Sequence, residues 1–355
     1  MPQRRQLAAI GHAVDVSAYS NYVAARIMRY LDSVDADLFR AIAEALDSMP
    51  VSSFNMRRLQ ALLASVRAIN TNAYTLSGEI LESEMAGFLQ AEIAFNTRVI
   101  AAAGVEARLI TAEQAWAAAT RQPIRGRLMR QWVATLAEGR ANRIQQTLAI
   151  AYTEGKTIPE MTRLLRGTKA AGYADGLLQI DRRAAEAVAR TTTQHFASSA
   201  RDQVFEKNKD RIDYIVWLSV LDTRTSDICQ IRDGEHYTVD GKPIGHDLPW
   251  LGGPGKAHWN CRSTAYAETK DKVLDLSKGR VRSSMDGPVS GKVTFADWIE
   301  KQTAERQREV LGASRARLMR EGHYKLEQFY TNSGRLLNLE QLRAKDEQTF
   351  AELGL

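Results

Sequence analysis

Two cysteines in 355 residues are too few for a disulfide framework, and no apolar run approaches the roughly 18 residues of a membrane span. Prolines number only eight, so long helices face few breakers, and aromatics make up 7%. Lysine is missing before Lys156, which makes every basic residue of the first 155 an arginine. At the amino end, Gly11, His12 and Asp15 interrupt the apolar Leu7 to Ile10 stretch too early for a secretory leader. The expectation is an unexported, folded protein with a loose N-terminal arm, made in a reducing cytosol.

Charge is scarce in excess but concentrated in place. Forty-eight Lys+Arg against 42 Asp+Glu give +6. Residues 111–170 carry ten basic and four acidic side chains, while the rest of the chain is balanced to within one charge per segment. Arg121, Arg125, Arg127, Arg130, Arg140 and Arg143 therefore read either as the solvated face of one or two helices or as a contact surface. Guanidinium forks suit DNA phosphate or the carboxylates of an acidic protein.

Apolar residues at steps of three and four, such as Tyr19, Val23, Ile27, Leu31, Leu38 and Ile42, predict a long amphipathic helix over 18–48, interrupted near Asp35. The same period predicts helices over 53–69 and 73–103. Thr111 with Gln114 and Thr157 with Glu160 read as capping boxes, and Pro123 ends or kinks the helix before it. A helix over 181–207 precedes Ile212 to Val220, whose β-branched and aromatic residues predict a strand. Six of the 23 glycines and three of the eight prolines lie between Ile231 and Gly255, with a hairpin signal at Asp240-Gly241. This is a punctuated loop with too little apolar mass to hold itself. Thr294 with Asp297 caps a helix that carries Phe295, Trp298, Ile299, Val310, Leu311 and Leu318 and that Gly322 ends, and a short helical tail follows from Leu336.

The expected fold is mainly α with a small α+β core: a helical N-terminal domain (1–165), a core with a Cys/His knuckle (166–276), a linker of Gly, Ser, Arg, Lys and Pro (277–293), and a C-terminal helical segment (294–355).

Both cysteines flank the punctuated loop. Cys229 is followed by 28 residues and then His258-x-x-Cys261. Such a set supplies three quarters of a tetrahedral zinc site, and bound zinc would staple the loop. Asp222, Asp227, His236 and His246 are candidates for the fourth ligand. A disulfide, or reduced thiols in a core with a hydrogen-bonded His258, would satisfy the same spacing. The Gly-rich Leu251 to Lys256 lacks the spacing of a phosphate loop. A metal-dependent nuclease or toxin-like enzyme using Asp222, His236, His246 and His258 is the alternative function. Against it, no carboxylate and histidine lie at a spacing that one face would present, so the expectation is no enzyme.

Trp217, Asp222-x-Arg224-Thr225, Cys229, Asp233-Gly234, Pro254 and His258-x-x-Cys261-Arg262 resemble the signature of phage minor head proteins, the head-morphogenesis family that includes the F protein of phage Mu. Ala189-Arg190-Thr191 resembles the preceding element, and Trp298-Ile299 to Gly312 with Arg315 resembles a C-terminal segment of many phage members. Where members often carry cysteine this chain has Ser226 and Ser263, and where an acidic residue is common it has Thr192. The resemblance implies that Trp217, Asp222, Arg224, Thr225, Gly234 and Arg262 support the motif structurally. It implies a low-copy virion protein in the head interior or at the portal vertex, assembled in the bacterial cytoplasm without a membrane. Its partners would be the portal protein, the major capsid or scaffold protein and packaged double-stranded DNA, with roles in packaging or ejection.

Overall fold

The computed structural model describes residues 3–47, 56–102, 104–154, 156–270 and 281–355. It is mainly helical with a small antiparallel sheet, as the periodicity requires. Two long helices come first, α1 (Gln3–Asp47) and α2 (Met56–Ala101), followed by α3 (Ala112–Arg121), α4 (Met129–Thr153), α5 (Ile158–Arg166) and α6 (Leu177–Lys207). The capping boxes at Thr111 and Thr157 open α3 and α5, their N–H groups bonded to Gln114 and Glu160.

The expected interruptions do not occur. Helix α1 runs unbroken through Asp35, because that carboxylate is buried against Arg140 and Arg182. One helix, α2, replaces the two expected over 53–69 and 73–103, since buried Asn70 donates to the carbonyl of Ala137 instead of breaking the helix. Nor is the N-terminal arm loose. It is the first part of α1, where Ala9 packs with Val216, Leu218 and Tyr266, and the His12 ring stacks on Phe95 at 3.6 Å.

The chain divides into two compact units that do not follow its order. One comprises Ala18–Phe88 and Thr120–Thr193, the other Met1–Ser17, Leu89–Ala119 and Gln194–Leu355. The first, the helical unit, has a core of Leu38, Ile42, Val66, Ile144, Leu148, Met161, Leu165 and Leu178. Around Arg140 this unit also buries charge. Arg140 pairs with Asp35, Arg182 bridges Asp35 and Asp32 at 2.8 and 2.7 Å, and the Arg140 guanidinium lies 5.9 Å from the centre of the Tyr74 ring.

The second, mixed unit is built on β1 (Ile212–Leu218), flanked by β2 (His236–Tyr237) and β3 (Thr264–Thr269), both antiparallel to it. Ile215 opposes Ala267 and Trp217 opposes Ala265. Four-residue α7 (Asp227–Gln230) follows β1. The turn expected at Asp240-Gly241 forms, with Thr238 N–H donating to the Lys242 carbonyl at 2.8 Å. Residues 277–280 of the expected linker lie outside the described residues. From 281 to 290 the segment is a hairpin of β4 (Val281–Ser284) and β5 (Gly287–Ser290), held by the buried pairing of Arg282 with Asp233 at 2.7 Å. Short helices α8 (Phe295–Glu300), α9 (Ala304–Leu311), α10 (Ala313–Glu321), α11 (Leu339–Lys345) and α12 (Glu347–Leu353) complete the chain. Their apolar faces share one core with the punctuated loop: Phe295, Trp298, Leu318, Phe329 and Phe350 cluster with Leu221, Ile231 and Leu248.

Candidate metal centre

Position of the first cysteine follows from the end of β1. Ser219 donates from its N–H to Asp233 at 2.6 Å and from its hydroxyl to the Cys229 carbonyl at 2.8 Å. Asp222 turns the chain into α7 by accepting from the Arg224 N–H at 3.1 Å. Asp222 also grips Arg262 in a two-pronged ion pair at 2.6 and 2.7 Å. That pair fixes the residue after Cys261 to the turn before Cys229. Burial disfavours charge on Asp222, but the Arg262 fork outweighs it and holds the carboxyl below its ordinary range. Thr225, buried, donates to the Val220 carbonyl at 2.6 Å, and exposed Arg224 contributes its main chain.

The second cysteine is placed by α6. Gln194 to Arg201 of this helix are buried on every side. Ser198 and Arg201 donate to the Pro254 carbonyl at 2.9 and 3.0 Å, clamping the glycine-rich turn. At Gly255, φ is +87°, and a Cβ would lie 2.0 Å from the Ser198 hydroxyl, so only glycine fits. Its N–H donates to the Cys261 sulfur at 3.3 Å. Gly234, with φ +88°, lets the chain double back so that its N–H meets the Trp217 carbonyl at 2.9 Å. Trp217 itself is fully buried, edge-on to Trp250 with centroids 5.6 Å apart.

These constraints bring Cys229, His258 and Cys261 together. Their ligand atoms lie within 4.8 Å of one another, the group among the described residues that could hold a metal ion. The sulfurs are 3.7 Å apart and the His258 Nε2 is 3.1 Å from the Cys229 sulfur. His258 Nδ1 faces the Trp259 carbonyl at 2.8 Å, which leaves Nε2 for the sulfurs. The hydrogen bond between the two sulfurs holds the Cys261 thiol well below its ordinary range despite burial, with His258 adding to the effect. That same bond, together with burial, pushes the Cys229 thiol up. Burial works against an imidazolium at His258, yet contact with Cys261 leaves this group more basic than usual. Of the two thiols, Cys261 is thus the readier to give up its proton, and the thiolate is the form that binds metal. Two sulfurs and an imidazole are a zinc donor set, and a tetrahedral site with Zn–S near 2.3 Å has sulfurs about 3.8 Å apart. The residues present fit that ion.

None of the four expected fourth ligands joins them. Asp222 is taken by Arg262. His236 stacks on Tyr214 at 4.3 Å, while both ring nitrogens of His246 face the main chain, at the His236 carbonyl and the Leu248 N–H. Asp227 lies exposed at the start of α7, outside the group. The oxygen that does approach is the Ser226 hydroxyl, 2.7 Å from His258 Nε2, and Ser263 hydrogen-bonds toward Cys229. The sequence reading missed both as site residues, although it marked them as the serines standing where cysteine is common.

The arginines separate. Arg140 is 1% exposed and bound to Asp35, so it has no surface to offer, and Arg143 pairs with buried Asp181. Arg121, Arg125, Arg127 and Arg130 are exposed. A tight turn at Ile124–Arg127, with φ +49° at Arg125 and +89° at Gly126, carries the middle two. Arg127 lies 4.9 Å over the Trp132 ring and Arg130 forks onto Glu82 at 2.6 and 3.0 Å.

Residues 142–266 match the model of the family described as Phage Mu protein F like protein. The match bears out the resemblance read from the Trp217 to Arg262 motif and supports a part in phage head morphogenesis. It covers roughly a third of the chain and takes in the complete Cys/His group. No curated protein and no solved structure matches.

Proposed function

We propose that this protein is a minor head protein of a tailed phage, present in few copies, which binds the portal from inside the capsid during head assembly. The match of residues 142–266 to the Mu F-like family carries this reading. It acts by binding, not by catalysis. The exposed arginine turn at Arg121, Arg125 and Arg127 supplies a contact for packaged double-stranded DNA, and the long helices α1 and α2 offer surface to the portal and to the capsid or scaffold protein. Zinc held by Cys229, His258 and Cys261 would cross-link α7 to the far end of the punctuated loop and so contribute to folding. No helix among the described residues is long and apolar enough to cross a membrane.

The test is location. Mass spectrometry of purified particles and procapsids is expected to find the chain at low copy, and a reconstruction to place it against the portal. A deletion phage of full infectivity, with particles that never contained the chain, would end the proposal.

A further inference from the structure

The Cys/His group, whose spacing suits zinc, also leaves its two sulfurs near enough to be joined to each other. Its sulfurs are 3.7 Å apart and both cysteines are buried, at 2% and 0% exposure. Among the described residues three ligand residues converge, with the Ser226 hydroxyl beside them, 2.7 Å from His258 Nε2. A three-residue site holds zinc less firmly than a closed four-residue one, so the thiols spend time without it. Resting on the virion reading above, the chain passes from a reducing cytosol to an oxidising extracellular particle.

We propose that Cys229 and Cys261 are a redox pair, closing the loop through metal in the cytosol and through a disulfide in the released particle. Hydrogen peroxide is the oxidant, since the burial of both sulfurs excludes bulky disulfides. One sulfur attacks the peroxide, forming the S–O bond of a sulfenic acid as the O–O bond breaks and hydroxide leaves. The second sulfur attacks the sulfenic sulfur, forming the S–S bond and expelling the oxygen as a second hydroxide. The two thiol protons turn both hydroxides into water. Two thiols lose two electrons and one peroxide gains them. The sulfurs must close from 3.7 Å to about 2.05 Å. The Asp222–Arg262 pair and the hydrogen bond from Ser219 to the Cys229 carbonyl keep both cysteines facing while the metal is absent. The staple therefore survives a change of compartment that would strip a purely metal-held knuckle.

Hydrogen peroxide added to the purified full chain, stripped of metal with a chelator, tests this. The expected result is loss of both free thiols, an intact mass lower by about 2 Da, no covalent dimer and an unchanged circular dichroism spectrum. Zinc added first should protect both thiols. In Cys229→Ser the same treatment should leave a sulfenic acid at Cys261, read as an intact mass higher by about 16 Da. A folded, metal-free chain whose thiols stay free, or gain oxygen separately, overturns the proposal. If chelation unfolds the chain, particles decide: the chain taken from released particles under acid quench should carry no free thiol, the chain from lysed cells two. Two thiols in both overturns it. If the chain is absent from particles, the virion reading fails while the peroxide result still judges the pair.

Discussion

Each of the two units buries an arginine against an aspartate, and the two pairs do different work. In the helical unit, Arg140 and Asp35 meet between long helices, with Arg182 as a second cation, and the Arg140 Nε finds no acceptor. In the mixed unit, Asp233 accepts from both terminal nitrogens of Arg282, from the Ser219 N–H and from the Phe295 N–H, all between 2.6 and 2.7 Å. Asp233 thus joins the end of β1, the 281–290 hairpin and the start of α8. One carboxylate there replaces the regular hydrogen bonding that short elements lack. Long helices satisfy their own backbone and need a buried ion pair only for alignment, whereas irregular segments need one to satisfy their main chain.

The largest effect should come from removing Asp233. Asp233→Ala leaves the buried Arg282 without its countercharge, bonded only to the Val293 and Ser219 carbonyls, and strips the Ser219 and Phe295 N–H groups of their acceptor; it is expected to cost about 3–5 kcal/mol in urea unfolding. Asp35→Ala should cost less, because Arg182 keeps its pairing with Asp32. Equal costs would break the comparison.

Next comes His195, buried in α6 with its Nε2 donating to the Ala119 carbonyl at 2.9 Å. Burial, helped by nearby Lys256, pushes its pKa down to about 4. The folded value lies below the unfolded one, so the unfolded chain binds the proton first. Stability is complete above about pH 6.5 and falls as pH drops toward 4, by an amount of order 3 kcal/mol. His195→Asn should flatten that part of the urea-midpoint profile; an unchanged slope would assign it elsewhere.

Replacing whole pairs sharpens the contrast. Asp35→Leu with Arg140→Met is expected to be neutral to within about 1 kcal/mol, since apolar residues can substitute for a buried ion pair. Asp233→Leu with Arg282→Met should remain clearly destabilising, because the Ser219 and Phe295 N–H groups still lose their acceptor. Chevron or equilibrium denaturation would read both.

Smallest is the effect on polyanion binding. Arg125→Ala and Arg127→Ala should each lower the salt dependence of duplex DNA affinity by about one unit of slope. Arg140→Met should leave it unchanged. Any loss on removing Arg140 would mean that its pairing with Asp35 opens to the surface.

The same contrast explains what the sequence could tell. Helical stripes, capping boxes, the strand at 212 and the Cys/His spacing are local patterns, and each is present. What failed depended on partners far along the chain. Asp35 looks like a break, and Arg140 like surface charge, until the two are seen paired. Residues 281–290 look like polar linker because Arg282 finds Asp233 only in the folded state. The fourth-ligand candidates were drawn from residue type, which cannot reveal that Arg262 claims Asp222 or that His246 faces main chain. β3 carries little apolar alternation and borrows its identity from β1.

Because Phe350 belongs to the same core as Leu221, Ile231 and Leu248, time enters the life of this protein. On the ribosome, every segment of the helical unit is available once residue 193 has emerged. The mixed unit cannot close until residue 350 has been made, roughly 10 to 30 s later at ordinary bacterial rates of synthesis. Throughout that interval the two cysteines stand in an unfinished neighbourhood, so the knuckle is set only after residue 350 has joined the core.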